Sequence, residues 1–413
     1  MKGYIFSVGG PSRPPDILKA GLFGVWQNTK ERKDETKYWG PNQLATFADY
    51  LTISPGDLIF FFKERKIYGV AEAVGIDNDA GSFCAYLNYP ESYKPDPPQP
   101  SDGIITEGEW SSVRVALPFV PSPVIYSEGI DMDEALTGIE SSFFWGLRYW
   151  EGFSFQELSW EEAMFLKKRM LIRFGHNHEM SPNREQDTLI EYVEKQKPFG
   201  QLSLWDLLKS DEPEYINESG ELKSEALLHG LLIEHLKKSH LKPLSEAKSF
   251  DIYHELACSP PKPTTYVDKL DIMVARHFDE SLRQPYRYDV LEVKKAAIPE
   301  TKSRSIDGKQ KSIKLTFEEQ TSQLMKYVDF ISSNWCAGNY GAVKSYLIGK
   351  LYEDDFKTKF KEARDQAKTF TRTYVLNPRE GKEAHKRWDS LELLQYDVDC
   401  EHEEINLTNA HVD

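Results

Sequence analysis

The pattern of apolar and polar positions divides the chain into two parts, and the first part is mainly of β type. Apolar runs closed by Gly, Pro or charged turns predict a strand at Tyr4–Val8 and a hairpin from Leu58–Phe62 and Ile67–Val74. Alternation predicts a further strand at Trp110–Leu117. Residues 160–174 carry Glu early and Lys and Arg late, which favours a helix there. We therefore predict a β-rich first part with short helices.

The second part combines helices and strands. Leucines at helical spacing form an apolar stripe, which predicts a helix over Ser224–Lys238. The elements predicted after it are strands at Phe250–Ala257, Lys269–Arg276 and Tyr288–Lys294, a helix at Phe317–Ile331, a strand at Val343–Ile348, a helix at Glu353–Ala367 and a strand at Arg372–Leu376. A helix, three strands, a helix and a strand form the order of an α/β sheet domain.

These patterns predict four segments along the chain. They are a β-rich domain (residues 1–174), a helical connector (175–221), an α/β domain (222–395) and an acidic, frayed tail (396–413). No run of about 18 apolar residues is present, so we expect no membrane contact. The four cysteines form no C-x-x-C pair, which favours the reducing cytoplasm. A phosphate-binding loop of the G-x-x-x-x-G-K-[ST] type is absent, so no nucleotide cofactor is expected.

Charge changes this picture at one place. With 51 Lys and Arg against 66 Asp and Glu, the formal charge of −15 argues against blanket coating of nucleic acid. Residues 294–314 nevertheless hold seven cations against two carboxylates, a local charge of +5. Such a segment is typical of a mobile loop on a phosphate backbone, with a solvated loop as the alternative. The cations predicted to contact the backbone are Lys295, Lys302, Arg304, Lys309 and Lys311.

The strongest chemical signal lies at the end of a predicted strand. Side chains alternate across a strand, so Glu292 and Lys294 share one face. Asp271 lies in the preceding strand, and if the two strands are neighbours, Asp271 and Glu292 can bind one Mg²⁺. An edge-strand ion pair is the simpler alternative. The histidines of the 224–238 helix region, His229, His235 and His240, do not share one helical face and are predicted to lie at the surface.

Two further observations fit this arrangement. Gln323 and Tyr327 stand at i and i+4 on one face of a predicted helix, and Glu225 begins the helix before the sheet. The whole set resembles the PD-(D/E)XK nuclease superfamily, and its last pair resembles the RecB-like branch. The resemblance implies a restriction-endonuclease-like mixed sheet flanked by helices, and a site with Mg²⁺, or Mn²⁺, held by Asp271, Glu292 and the backbone of Val293. It implies a catalytic set of Glu225, Asp271, Glu292, Lys294, Gln323 and Tyr327.

The first part has a resemblance of its own. Tyr4-Ile-Phe-Ser7, the segment from Asp16 to Trp26, and the 56–74 hairpin resemble the EVE and YTH-like branch of the PUA superfamily. Aromatic side chains gather there, and stacked aromatic walls hold extruded bases in other proteins. The resemblance implies a β-barrel that reads a modified base, with Asp16 as a hydrogen-bond acceptor and Trp26 as one wall. The second wall is expected from Phe83 and Tyr86.

Together the two parts predict a modification-dependent DNA endonuclease that acts in defence against foreign DNA in the cytoplasm. Its partner would be DNA with a modified base, and a homodimer would supply two active sites for two strands. An RNA endonuclease guided by the same type of reader is one alternative. A non-catalytic nucleic-acid-binding protein with a degenerate nuclease fold is the other.

Overall fold

The chain forms two compact units, Met1–Asp206 and Leu207–Asp413, in the computed structural model. The boundary between them falls inside the segment predicted as a connector. The structure describes residues 2–9, 13–20, 22–26, 30–31, 37–38, 41–54, 56–73, 86–87, 113–121, 124–125, 128–136, 155–174, 179–180, 204–209, 215–217, 220–238, 241, 244, 249–258, 268–278, 285–306, 309–366 and 388–410.

The first unit is a mixed α/β structure. Its elements are β1 (Gly3–Ser7), α1 (Pro14–Ala20), β2 (Leu22–Trp26), β3 (Lys30–Glu31), β4 (Lys37–Tyr38), α2 (Pro41–Leu51), β5 (Leu58–Lys63), β6 (Lys66–Ala73), β7 (Tyr86–Leu87), β8 (Val113–Pro121), β9 (Val124–Ile125), β10 (Ile130–Asp131), α3 (Met132–Leu136), β11 (Phe155–Leu158), α4 (Trp160–Phe174) and β12 (Glu179–Met180). A short helix, α5 (Leu204–Lys209), spans the unit boundary.

The main sheet of the first unit has the strand order β11-β1-β5-β6-β8-β2, with β10 beside β6 and β7 beside β8. The predicted hairpin is confirmed, because β5 and β6 pair antiparallel around Glu64 and Arg65. No pairing between the described strands joins β11 to β2, so the path is open and the predicted closed barrel is not confirmed.

Close packing holds helices against this sheet. A Cβ atom added to Gly3 of β1 would lie 2.5 Å from the Cβ of Ala163 in α4. Gly69 of β6 has a φ of +67°, and an added Cβ would lie 2.1 Å from Cδ1 of Leu18 in α1. Both glycines therefore allow a backbone approach that a side chain would prevent.

The second unit follows the predicted element order closely. Its elements are α6 (Glu225–Lys237), β13 (Ser249–Ala257), β14 (Lys269–His277), β15 (Pro285–Val293), β16 (Thr301–Ile306), β17 (Lys309–Lys314), α7 (Phe317–Trp335), a 3₁₀ turn (Tyr340–Ala342), β18 (Val343–Gly349), α8 (Asp354–Asp365), β19 (Leu391–Asp399) and β20 (Glu404–Asn409). The predicted strand at Arg372–Leu376 lies outside the described residues.

Six strands form the sheet of the second unit, in the order β13-β14-β15-β18-β19-β20. The first three pair antiparallel, β15-β18 and β18-β19 pair parallel, and β19-β20 pair antiparallel. A parallel pair needs a crossover, and α7 with its Thr316–Glu319 capping box connects β15 to β18. The result is a mixed sheet with helices, as the sequence predicts.

Two predictions about this unit are wrong. Residues 301–314 are not a loop, because β16 and β17 pair along their whole length as an antiparallel hairpin. The expected frayed tail also contains structure: β19 and β20 add two strands to the sheet. In β16 and β17 only Ile306 and Ile313 are apolar, and in β20 every second residue is charged or polar. The apolar signal of a strand is therefore weak in both segments.

Candidate functional site

Two strands of the second unit bring carboxylates together. Ile272 of β14 pairs with Leu291 of β15, so this register sets Asp271 opposite Glu292. Opposed residues in an antiparallel pair share one face of the sheet. Asp271 Oδ2 also accepts a hydrogen bond of 2.7 Å from the backbone N–H of Val293, which holds the carboxylate at the strand end.

The ammonium of Lys294 is buried among these carboxylates. Three oxygens lie near its Nζ: Glu292 Oε1 at 2.8 Å, Asp271 Oδ2 at 3.5 Å and Oε1 of Glu225, the first residue of α6, at 3.6 Å. Nζ also donates a 2.9 Å hydrogen bond to the carbonyl oxygen of Val293. Burial opposes the charged form, but the three carboxylates hold the pKa of Lys294 well above its usual value. The lysine is therefore an ammonium at neutral pH.

The three carboxylates differ in their tendency to ionise. Burial raises the pKa of Glu292 to about 8, with the charge of Asp271 adding to the rise and Lys294 opposing it. Burial also raises the pKa of Glu225 to about 7, against the effect of Lys294. Burial alone would raise the pKa of Asp271. The charge of Lys294 outweighs this effect and holds the pKa below its usual value. Asp271 is thus the carboxylate that is ionised throughout the neutral range.

A histidine that sequence reasoning missed completes the cluster. His229 lies on α6 four residues after Glu225, and one ligand atom each from Glu225, His229 and Asp271 lie within 4.8 Å of one another. The prediction of surface histidines is wrong for His229 and His235, which are only 4% and 5% exposed. The i,i+4 spacing of Glu225 and His229 is the signal that could have found it.

Of the two ring nitrogens of His229, one has a hydrogen-bond partner among the described residues. Its Nδ1 lies 2.9 Å from Nε2 of His254 on β13. Its Nε2 is buried and has no hydrogen-bond partner among the described residues. Burial lowers the pKa of His229 to about 4, so the ring is neutral at neutral pH. A neutral imidazole with an unused nitrogen beside two carboxylates is a suitable ligand for a divalent cation.

This cluster differs from the ligand set that the resemblance implies. Asp271 belongs to both sets. Glu292 and the carbonyl of Val293 are instead the closest partners of Lys294. The structure thus brings all the predicted ligands within one neighbourhood, but it groups Asp271 with Glu225 and His229.

Gln323 and Tyr327 border the same neighbourhood from α7. Gln323 Nε2 donates to Tyr327 OH at 3.0 Å, and Tyr327 OH donates to the carbonyl oxygen of Lys269. Burial raises the pKa of Tyr327, and the charge of Glu292 adds to the rise. The pair therefore ties α7 to the start of β14, two residues before Asp271.

The basic hairpin begins beside the cluster. Lys302 Nζ lies 3.7 Å from Glu300 Oε2, and the charges of both residues act on the pKa of Glu225. Lys302 and Lys311 are exposed, and the register sets Arg304 opposite Lys311. Like charges at opposed positions destabilise a strand pair.

The structure describes the other cations predicted to contact a phosphate backbone only in part. Lys295 is part-exposed, and its Nζ donates to the carbonyl oxygen of Lys223 at 2.6 Å. The side chains of Arg304 and Lys309 lie outside the described residues, and so their predicted contacts stay predictions.

The predicted base pocket of the first unit is described only in part. Asp16 is exposed in the first turn of α1. Trp26 and Tyr86 belong to strands that flank β8, opposite Val113 and Ala116 respectively. Their side chains, and the whole of Phe83, lie outside the described residues.

Comparison of the chain with protein-family models, curated proteins and solved structures found no match in any of the three. Among the described helices, none has the length and apolar character needed to cross a bilayer.

Proposed function

We propose that the chain is a metal-dependent endonuclease that cuts DNA carrying a modified base, acting in the cytoplasm against foreign DNA. One observation carries the nuclease half: a buried lysine held by carboxylates at the ends of two paired strands. An ammonium in such a place can stabilise the negative charge that develops at the phosphate when a phosphodiester is hydrolysed.

The residues fit a divalent cation. Asp271 is ionised, Glu225 is part-exposed, and Nε2 of His229 has no hydrogen-bond partner among the described residues. These three residues would hold the ion, and Mg²⁺ or Mn²⁺ are the candidates. Such an ion lowers the pKa of a water molecule and stabilises charge on the phosphoryl oxygens.

The side chains of the cluster would then divide the remaining work. Lys294 keeps its proton and offers positive charge to the scissile phosphate. Glu292 holds the Lys294 ammonium in place at 2.8 Å. Gln323 and Tyr327 fix the start of β14, and thereby the position of Asp271. The basic hairpin would lie along the phosphate backbone, beginning beside the site.

Recognition of the substrate would fall to the first unit. The support for this half is the sequence resemblance to PUA-type readers, with Asp16, Trp26, Phe83 and Tyr86 as the pocket. A nuclease without strong sequence preference needs such a module, and two copies of the chain would cut both strands.

The test is a cleavage assay on one plasmid in four forms: unmodified, N6-methyladenine, 5-methylcytosine and 5-hydroxymethylcytosine. Wild type is compared, with Mg²⁺ and with Mn²⁺, against Lys294→Ala, Asp271→Asn and the control Lys359→Ala. Lys359 is an exposed lysine of α8 that pairs with Asp355. Cleavage of one modified form by wild type and the control, lost in the two site variants, is the expected result.

Other results separate the two halves. Equal cleavage of all four forms would retain the nuclease and reject the reader. Cleavage that survives in Lys294→Ala would reject the proposed site. No cleavage of any form would overturn the proposal for DNA, and methylated RNA would be the next substrate.

A further inference from the structure

A second buried histidine contacts the cluster of Glu225, His229 and Asp271 through His229. His229 of α6 and His254 of β13 are 4% and 3% exposed. Nδ1 of His229 lies 2.9 Å from Nε2 of His254, and the rings meet edge to face at 79° with centroids 5.1 Å apart. Buried polar atoms need hydrogen-bond partners, so it matters which of the two nitrogens donates in this contact.

One proton lies between the two nitrogens, because a hydrogen bond at 2.9 Å needs one donor and one acceptor. If His229 donates from Nδ1, its Nε2 keeps a lone pair and can be the ligand atom that this ring offers to the cluster with Glu225 and Asp271. If His254 donates instead, the proton of His229 is on Nε2, where it has no acceptor among the described residues. The first arrangement avoids a buried unsatisfied donor, and a buried unsatisfied donor is costly.

The backbone beside His254 is also unusual. Glu255 has a φ of +49°, a left-handed conformation that non-glycine residues avoid. His254 pairs with Ile272 and Leu256 pairs with Leu270, so Glu255 stands opposite Asp271 in the register. Conformations of this kind persist where the surrounding structure imposes them, and they concentrate at functional sites.

We propose that His254 is a positioning residue: it accepts the Nδ1 proton of His229, fixes the tautomer that leaves Nε2 free, and so makes the site favour Mn²⁺ over Mg²⁺. The inference rests on the metal site of the proposed function and deepens it. Mg²⁺ prefers oxygen ligands and retained waters, whereas an imidazole nitrogen is better tolerated by first-row transition metals. Partners that orient a ligating histidine are a recurrent feature of metal sites.

The test uses the full-length, tag-free protein and two substitutions of one residue. His254→Phe keeps ring volume and removes the acceptor, whereas His254→Gln keeps an acceptor at similar reach. Calorimetry measures the dissociation constants for Mn²⁺ and, by competition, for Mg²⁺. We expect His254→Phe to weaken Mn²⁺ binding by about tenfold or more, and His254→Gln to stay within about threefold of wild type. The Mg²⁺ constant should change less, so the preference for Mn²⁺ shrinks in His254→Phe.

A second measurement is independent of folding in the variants. Long-range ¹H–¹⁵N correlation on the metal-free wild type identifies which ring nitrogen of His229 carries the proton, with His229→Asn used for assignment. A proton on Nδ1 supports the inference. A proton on Nε2 overturns it, and so does equal Mn²⁺ affinity in wild type and in folded His254→Phe.

Neither measurement involves DNA. The expected tautomer and Mn²⁺ preference without any cleavage would leave this inference standing and reject the nuclease function. Cleavage by a protein with the His229 proton on Nε2 would retain the nuclease function and reject this inference.

Discussion

Lys294 and Glu292 form an ion pair of 2.8 Å from positions two residues apart at the end of β15. The strand alternation puts both side chains on one side, and the register with β14 adds Asp271 to them. One buried ammonium group is thus surrounded by several carboxyl groups. Loss of that ammonium should therefore lower the stability of the second unit.

We expect Lys294→Met to lower the free energy of unfolding of the metal-free protein by about 3 kcal/mol, because it leaves buried carboxylates without a counter-charge. Adding Asp271→Asn to this variant should restore part of the loss, since Asp271 is the carboxylate that is ionised at neutral pH and an amide oxygen there can still accept from the N–H of Val293. Urea denaturation of wild type, the single variant and the double variant measures both effects. A Lys294→Met protein as stable as wild type would show that the ion pair makes no net contribution.

The exposed cations of the β16–β17 hairpin should govern affinity for DNA. Lys302→Glu with Lys311→Glu is expected to weaken binding about tenfold, and to reduce the slope of log K against log salt by about 2, because two phosphate contacts are lost. The matched control makes the same charge change on α8, with Lys359→Glu and Lys361→Glu. Fluorescence anisotropy at several salt concentrations gives both quantities. Equal effects in the two double variants would indicate only a response to net charge.

Gly69 should be essential for the packing of β6 on α1. Gly69→Ala places a Cβ in a left-handed conformation at 2.1 Å from Leu18, so we expect a loss of about 2 kcal/mol or more. Gly9→Ala is the control, because an added Cβ there meets nothing within 4 Å. Thermal unfolding compares the two variants. Equal melting temperatures for both would contradict the close approach at Gly69.

Glu162 should make the protein less stable as the pH rises. It lies in α4, accepts a 2.7 Å hydrogen bond from the N–H of Ser159, and burial raises its pKa from 4.5 to about 8. The folded state therefore binds more protons than the unfolded state between these values. The stabilising contribution is complete below about pH 4.5 and is lost as the pH rises through about 8.

Glu162→Gln isolates this effect, since the amide oxygen can still accept from Ser159 and cannot ionise. Between pH 5 and pH 9 we expect wild type to lose about 4 kcal/mol of unfolding free energy relative to the variant. Urea denaturation at both pH values is the measurement. Parallel pH profiles for the two proteins would show that Glu162 titrates near its ordinary value.

Sequence periodicity predicted most elements of the second unit within a few residues, because the core strands are apolar on both faces. The same alternation predicted that Glu292 and Lys294 meet, and that Asp271 joins them if the strands are neighbours. His229 was missed because α6 is buried on most sides, so its histidines could not be distinguished from a surface face by apolar spacing. Its ring contacts His254, 25 residues away, and helical periodicity contains no information about that contact.

The segment at β19 and β20 shows a second limit. Acidic and polar residues such as Asp397 and Glu404 occupy the exposed positions, while Tyr396, Ile405 and Leu407 are buried between them. The high proportion of charged residues favoured a solvated tail, although buried and exposed positions alternate regularly in β20. Composition alone therefore misled where face-by-face periodicity was informative.

Strand β20 also connects a distant segment to the site. The backbone N–H of Ile405 donates to Nε2 of the buried His235, on the same helix as Glu225 and His229. A stop codon at position 404 would remove the whole of β20, expose the edge of β19 and take one hydrogen bond from the helix that carries two of the candidate ligands. In a genetic screen, such an allele would be expected to look like a lesion in the active site, although it lies more than 100 codons downstream of Glu292.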